Sequence, residues 1–313
     1  MTSYLFLLAG LVLLLFSGDY LVKGSISLAS HFRVSKLVIG VVIVSLGTSA
    51  PELVVSIEAA LKNHPDIALG NVLGSNVSNI ALILGLTAVV LPVRVMKRSI
   101  LLDWSVMMLA SLTLYIFILN GLLEFHEGLI MLSVLAVYIY ISIHLSRREN
   151  KKNKATPVKP GFSLIVSLVM VIGASLGLVF GANLLVKGAA AIAREFGVSE
   201  RAISISLVAF GTSVPELATS IMAAVRKEGD IFIGNIIGSN IFNILAILGV
   251  TSTIKNISVH PTIVGFDIFW MLGVSFLLLL FMLPLKTGVV TRWKGFIFLA
   301  IYSFYIYLVF MTN

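Results

Sequence analysis

Long apolar stretches alternate along the chain with short segments rich in charged residues, proline and glycine. Each stretch is long enough to cross about 30 Å of hydrocarbon as an α-helix. None shows the strict alternation of apolar and polar residues that transmembrane β-strands require, so we expect helices throughout. The pattern predicts ten membrane spans, near residues 4–22, 37–61, 66–91, 99–120, 127–145, 162–186, 202–225, 230–253, 260–284 and 295–311.

Composition favours a membrane protein and excludes a soluble one. Of the 313 residues, 58% are hydrophobic and 12% are charged, whereas soluble domains are about 45–50% apolar and carry about 25% charged residues. The chain contains no cysteine, which excludes disulfide frameworks, thiolate metal sites and cysteine nucleophiles. The predicted fold class is therefore an all-α polytopic membrane protein.

The basic residues predict the orientation of the chain. A basic linker at 146–160 separates a first half at 1–145 from a second half at 161–313, with five predicted spans in each. If the sides alternate from span to span, 17 of the 22 Lys and Arg residues lie on the linker's side. By the positive-inside rule the linker is cytoplasmic, and both termini are extracellular in the plasma membrane. The net charge of +8 thus reflects topology and not nucleic-acid binding. The expected surroundings are a lipid bilayer, with no obligatory protein partner implied and a monomer as the expected state.

The two halves share a sequence repeat. Residues 21–85 align without gaps to residues 185–249, and 32 of these 65 positions are identical. The core motif segments, 40–85 and 204–249, share the polar and helix-breaking patterns GTSxPE and GNxxGSN. Because five is an odd number of spans, the second half enters the membrane in the opposite sense. The chain therefore predicts ten transmembrane helices in two inverted five-helix repeats.

Inverted repeats are typical of secondary transporters, whose ion sites lie near the bilayer midplane in interrupted helices. Pro51 and Pro215 each remove a backbone donor inside a predicted span and displace the carbonyl four residues earlier. The Gly-Ser pairs of the third and eighth spans should loosen those helices as well. We therefore expect interrupted helices 2, 3, 7 and 8 to form an ion-binding core.

Glu52 and Glu216 follow the two prolines near the middle of their spans. An ionised carboxylate at this depth costs several kcal/mol unless it faces a cavity and finds a partner, so one from each half predicts a bound cation. The surrounding side chains also offer oxygen, which suits hard cations such as Ca²⁺ and Na⁺. They are Thr48, Ser49, Ser75 and Asn79 in the first half and Thr212, Ser213, Ser239 and Asn243 in the second.

These motifs resemble the paired repeats of sodium/calcium exchangers in the Ca²⁺/cation antiporter superfamily, and the five-plus-five arrangement is similar to its short prokaryotic members. The resemblance covers essentially the whole chain. It implies an antiporter that exchanges Na⁺ for Ca²⁺ by alternating access, with electrogenic Ca²⁺ extrusion. Ca²⁺ and Na⁺ are then the transported ions, and no cofactor is expected.

The same resemblance implies roles for individual residues. Glu52 and Glu216 would be the main calcium ligands, beside the backbone carbonyls of Thr48 and Thr212. Sodium would be bound by the hydroxyls of the motif serines, by two backbone carbonyls and at two amide positions. These sodium residues are Ser49, Ser213, Ser75 and Ser239, the carbonyls of Ser45 and Ala209, and Asn79 and Asn243.

Particular residues bear on the alternative functions. Calcium/proton exchangers of the superfamily usually carry an acidic residue in the GN segment of the third span, and this chain has none there. Asn243 stands where some family members have Asp, which leaves a potassium-dependent sodium/calcium exchanger open. A cation channel would differ by flux without obligatory exchange. Enzyme activity is not expected, because the chain has no HExxH motif, no midmembrane aspartate pair and no serine with a histidine at matching depth.

Overall fold

The computed structural model describes residues 2–95, 99–152, 159–197, 200–283 and 288–312, with the backbone alone at 99, 100, 200–210, 310 and 312. Its long helices are α1 (Thr2–Phe32), α2 (Lys36–Thr48), α3 (Ala50–Leu61), α4 (Pro65–Val90), α5 (Leu101–Ile118), α6 (Phe125–Lys152), α7 (Leu164–Glu195), α8 (Glu200–Val225), α9 (Gly229–Ile254), α10 (Ile263–Met282) and α11 (Arg292–Thr312). Among the described loop residues lie four two-residue strands, β1 (Val93–Arg94), β2 (Leu122–Leu123), β3 (Ile257–Ser258) and β4 (Val289–Val290).

The helices confirm a polytopic α-helical membrane protein. Within the described residues, seven are long and apolar enough to cross a membrane, or eight if the bent pair α2 and α3 forms one span. In α4 and α9, 78% and 94% of the apolar window is buried, against 28–33% in the other five. These two helices therefore form the centre of the protein, and the others surround them.

Helix starts follow local sequence signals. Ser35 precedes α2 and accepts a hydrogen bond from the Val38 N–H, and Ser163 precedes α7 and accepts one from Val166. These serine caps satisfy backbone donors that have no partner inside the helix. Pro65 lies in the first turn of α4, where its missing N–H and fixed φ fit the helix.

The helix bounds repeat along the chain as the sequence does. The helix α4 spans 65–90 and α9 spans 229–254, while α5 ends at 118 and α10 ends at 282. Each of α4 and α9 also contains a π-helical stretch, at Ser78–Leu84 and Asn243–Leu248. All these pairs are separated by 164 or 165 residues, so the duplicated sequence forms duplicated helices.

Glycines allow close packing between helices. A Cβ at Gly188 of α7 would lie 2.5 Å from the Leu7 nitrogen of α1, and one at Gly295 of α11 would lie 2.6 Å from the Gly85 oxygen of α4. Small residues let membrane helices approach closely enough for backbone contact. The pair α1 and α7 is therefore held by direct contact along its length.

Two small antiparallel sheets join the loops. Val93 of β1 is paired with Val290 of β4, and Leu123 of β2 is paired with Ile257 of β3. Each sheet connects a loop of the first half to a loop of the second half. The halves are thus tied together outside the helical core as well as within it.

Within the described residues, the α-helix is disturbed in three of the four expected spans. α2 and α3 are bent by 47° at Ser49, two residues before Pro51. In α4 and α9 the α-helix gives way to π-helix at Ser78 and at Asn243, shortly after the Gly-Ser pairs. The prediction of an interrupted seventh span is wrong, because α8 is continuous through Pro215. Proline removes a single donor, which a helix in contact with other helices tolerates. In α9, Gly238 serves packing, since a Cβ there would lie 2.7 Å from the Val41 Cα.

The predicted linker also starts as a helix. α6 continues to Lys152, so residues 146–152 belong to it, while residues 153–158 lie outside the described part of the chain. Ser146 is fully buried and its hydroxyl accepts a 2.7 Å hydrogen bond from the Ser35 N–H. This contact extends the helix beyond the apolar stretch from which its end was predicted.

Candidate cation site between the two halves

Two carboxylates lie buried where the two halves meet. Glu52 is in the first turn of α3, directly after the bend, and Glu216 follows Pro215 inside α8. Each is 1% exposed, and within the described residues the Oε2 atom of each has no hydrogen-bond partner. A buried ionised carboxylate oxygen with no donor is strongly unfavourable, and either a proton or a bound cation would neutralise it.

One hydrogen bond links the motifs of the two halves directly. The Ser49 hydroxyl donates to Glu216 Oε1 at 3.2 Å. Ser213, its counterpart in the second half, is 2% exposed, and its hydroxyl has no partner in the described structure. The first GTSxPE motif therefore contributes directly to the surroundings of the second glutamate.

The hydroxyls of Thr48 and Thr212 are bound to asparagine side chains of the opposite half. Thr48 Oγ1 lies 3.2 Å from Asn235 Oδ1 and 3.3 Å from the Ser45 oxygen. Thr212 Oγ1 lies 3.4 Å from Asn71 Oδ1. These hydroxyl protons are engaged within the protein, which fixes the orientation of both threonine side chains beside the site.

The backbone carbonyl of Ser45, an expected sodium ligand, already accepts two hydrogen bonds. Its oxygen accepts the Ser49 N–H at 2.9 Å and the Thr48 hydroxyl at 3.3 Å. Its hydroxyl donates to the oxygens of Gly40 and Asn235. Ala209 lies in the backbone-only part of α8, and its side chain is outside the described residues.

The third and eighth spans bring further oxygen atoms to the interface. Ser75, Asn79, Ser239 and Asn243 are at most 4% exposed. Among the described residues, both amide atoms of Asn79, the Ser239 hydroxyl and Asn243 Oδ1 have no hydrogen-bond partner. The π-helical stretches begin at Ser78 and at Asn243 itself, which changes how the side chains of these helices are directed.

Two further asparagines connect α4 to α9. Asn76 Nδ2 donates to the Asn240 oxygen at 3.3 Å, and Asn243 Nδ2 donates to Asn76 Oδ1 at 3.0 Å. Sequence reasoning did not include Asn76 or Asn240 among the ion ligands, although their duplication was visible. Their contacts show that Asn76 orients Asn243 from the opposite half.

The set of atoms without partners indicates the kind of ligand that the site could hold. It consists of carboxylate, hydroxyl and amide oxygens, with a formal charge of −2 when both glutamates are ionised. Such atoms suit Ca²⁺ and Na⁺. Within the described residues, no three His, Cys, Asp or Glu side chains form a metal-binding group, so the neutral oxygens have to supply most of any coordination.

Comparison with known proteins agrees with this geometry. The family described as sodium/calcium exchanger protein matches residues 2–144 and 166–311. The membrane protein MJ0091 of Methanocaldococcus jannaschii is 35% identical, with 95% of this chain and 94% of that protein covered. The sodium/calcium exchanger MaX1 of Methanosarcina acetivorans is 29% identical, with 98% of both chains covered.

A solved structure shows the same arrangement of the whole chain. The structure of the sodium-calcium exchanger NCX_Mj soaked with zero Na⁺ and Ca²⁺ superposes with a TM-score of 0.84 and 34% identity, with 98% of this chain and 99% of that chain covered. The similarity thus extends over both halves of the chain. The protein belongs to the sodium/calcium exchanger family.

Proposed function

We propose that this sodium/calcium antiporter exchanges its ions by alternating access at a site between two inverted halves. The protein is a multi-pass membrane exchanger of Na⁺ and Ca²⁺, and α2 with α3 counts as one of ten spans. The observation that carries the proposal is the pair of buried carboxylates, one from each half, together with the hydrogen bond from Ser49 of the first half to Glu216 of the second.

The loop strands support the inverted arrangement. β1 precedes α5 and its counterpart β3 precedes α10, 164 residues later. β1 pairs with β4, which follows α10, so β1 and β4 lie on the same side of the membrane. β3 and β4 flank α10 and lie on opposite sides when α10 crosses the bilayer. β1 and its counterpart β3 then lie on opposite sides, as inverted halves require.

The pair of first helices supports the same conclusion. α7 is the counterpart of α1, and contacts between them run from Leu7 with Gly188 to Gly24 with Val171. Residue numbers rise in α1 as they fall in α7, so the two counterparts are antiparallel. Parallel repeats would place equivalent spans in the same sense.

Ions would bind where the partnerless oxygens converge. Glu52 and Glu216 would bind Ca²⁺ with the backbone carbonyls of Thr48 and Thr212. Sodium would use the hydroxyl and amide oxygens around the same carboxylates, namely those of Ser49, Ser213, Ser75, Ser239, Asn79 and Asn243. The Ala209 carbonyl would also take part, and the Ser45 carbonyl would do so after releasing one of its two donors.

Charge supports electrogenic exchange. One Ca²⁺ neutralises the two carboxylates, whereas three Na⁺ in the same place would leave a charge of +1. Moving that charge across the membrane is worth about 2.3 kcal/mol per 100 mV. Inward Na⁺ movement, favoured by an interior-negative potential, would then drive Ca²⁺ out of the cell.

Contacts between loops agree with the proposed orientation. Lys36 Nζ lies 2.7 Å from Glu228 Oε2, which joins two loops assigned to the cytoplasm. Lys255 Nζ lies 2.6 Å from Asn63 Oδ1, which joins two loops assigned to the outside. Both termini then lie outside, and the segment that follows α6 lies in the cytoplasm of a cell whose plasma membrane holds the protein.

The test is Ca²⁺ uptake into proteoliposomes loaded with Na⁺, K⁺ or a proton gradient. We expect uptake with internal Na⁺ alone, and loss of uptake in Glu52→Gln and in Glu216→Gln because each removes one site charge. Glu58→Gln is the matched control, since this α3 carboxylate is exposed and paired with Lys62. Proton-driven uptake without Na⁺ would refute the coupling, and normal transport by both buried variants would refute the site.

A further inference from the structure

We propose that Asn71 and Asn235 are positioning residues, which connect the binding segments of opposite halves without touching the transported ion. The inference rests on the proposed cation site and assigns these residues a role in setting its geometry. Asn71 is in α4 and Asn235 is in α9, at equivalent positions of the repeated GNxxGSN motif.

The side chain of Asn71 forms hydrogen bonds with residues of both halves. Its Nδ2 donates to the Glu52 backbone oxygen at 3.2 Å and to the Ser56 hydroxyl at 3.0 Å, both in α3 of its own half. Its Oδ1 accepts the Thr212 hydroxyl of α8, in the other half, at 3.4 Å. One planar amide therefore connects the first binding glutamate's backbone to the second GTSxPE motif.

Asn235 repeats this arrangement in the second half. Its Oδ1 accepts the Thr48 hydroxyl of α2, and its Nδ2 lies 3.5 Å from the Ser220 hydroxyl of α8. Its backbone oxygen also accepts the Ser45 hydroxyl at 3.2 Å. Asn235 is 1% exposed, so its hydrogen bonds have no competition from bulk water.

The chemistry of the amide explains why asparagine suits this place. An amide has an acceptor at one end and donors at the other, so it can accept from a threonine of one half while donating to the opposite half. Aspartate has no N–H donors, and alanine has neither the acceptor nor the donors. Because each Oδ1 accepts a threonine hydroxyl and each Nδ2 donates to the opposite segment, the proposed role of the two amides is to hold the GTSxPE segments in place.

The repeat provides a sharp test through double-mutant cycles on Ca²⁺ affinity, measured by calorimetric titration of the purified protein in detergent. Asn71→Ala and Thr212→Val should each weaken Ca²⁺ binding about five-fold, which is the scale of one hydrogen bond. The double variant should be little weaker than Asn71→Ala, because both changes remove the same contact. Asn235→Ala with Thr48→Val should behave in the same way.

The matched control combines Asn71→Ala with a change in the threonine to which Asn71 is not bonded. Asn71→Ala combined with Thr48→Val pairs residues of the same half that share no hydrogen bond, so the two effects should multiply to about 25-fold. Thr212→Ser keeps the hydroxyl and should restore most of the affinity lost in Thr212→Val. In Na⁺-driven uptake, the KM for Ca²⁺ should rise while kcat stays within about two-fold, since positioned backbone ligands act on binding.

Three results would overturn the inference. The first is that the losses of Ca²⁺ affinity multiply when Asn71→Ala is combined with Thr212→Val, or Asn235→Ala with Thr48→Val. The second is unchanged Ca²⁺ affinity in both asparagine variants. The third is a lower melting temperature with unaltered affinity, which would mean a merely structural role. If the wild-type protein binds no Ca²⁺ at all, the proposed function fails. The same double-mutant cycles, measured by melting temperature in place of Ca²⁺ affinity, then still decide whether these amides connect the halves.

Discussion

Gly238→Ala perturbs a place where the central helix α9 contacts the backbone of α2. A Cβ at residue 238 would lie 2.6 Å from the Val41 oxygen and 2.7 Å from the Val41 Cα. Both are main-chain atoms and cannot rotate away. Carbon atoms are in favourable contact at about 3.5–4.0 Å, so the two helices would have to separate by about 0.8 Å or more.

The separation should affect both stability and exchange. Overpacking of this kind costs about 1–3 kcal/mol, which corresponds to a fall of about 1.5–5 °C in melting temperature for a chain of 313 residues. It should also weaken the hydrogen bond from the Ser45 hydroxyl to the Asn235 oxygen, which is already 3.2 Å long. We therefore expect lower Na⁺-driven Ca²⁺ uptake in proteoliposomes, beyond the loss that reduced stability explains.

Gly273→Ala is the matched control in α10. Gly273 lines an apolar cavity of about 430 Å³ with Phe269 and Ile301, so an added methyl group meets open space. Alanine is also the better helix former by about 1 kcal/mol. Its melting temperature in detergent should stay unchanged or rise. Equal melting temperatures for Gly238→Ala and the wild type would refute the reasoning about backbone contact.

Two further substitutions test contacts between helices. Asp19→Asn should lower the free energy of unfolding by about 0.5–1 kcal/mol, because it weakens a partly exposed ion pair between α1 and the Arg226 guanidinium; an unaltered thermal unfolding curve would contradict this. Trp104→Phe removes the 2.8 Å hydrogen bond from Nε1 to the Ser275 oxygen of α10 and should cost about 1–2 kcal/mol. The exposed Trp293 provides its control as Trp293→Phe, and equal losses in the two variants would count against a specific role for the hydrogen bond.

Most helix bounds could be predicted because proline, glycine and charge mark the loops. The third span was expected at 66–91 and is observed at Pro65–Val90, and the eighth was expected at 230–253 and is observed at Gly229–Ile254. The first span was expected to end near residue 22, yet α1 continues to Phe32. Lys23 directly follows the predicted span, but in the folded protein it pairs with Asp19 at 2.7 Å within the helix.

The residues of the candidate site were visible in the sequence because duplication kept polar residues at equivalent places in apolar helices. Their partners were not visible, since hydrogen bonds such as Ser49 with Glu216 depend on how the halves are packed. The two hydrogen bonds to the Ser45 carbonyl are likewise a property of the folded backbone. Sequence periodicity predicts which residues share a helix face, but not which face of another helix they meet.

The largest difference from the sequence prediction concerns the two GTSxPE motifs, which have the same sequence pattern but different conformations. GTSxPE is bent by 47° at Ser49 in the first half, whereas α8 is continuous through Pro215 in the second. Since the helix-breaking residues are the same, the surrounding helices decide which conformation each motif adopts. In the inverted arrangement proposed above, halves of identical conformation would expose the site equally to both sides of the membrane. The unlike conformations of the two motifs fit the proposed alternating access, in which an exchange of conformations between the halves would open the site to the opposite side.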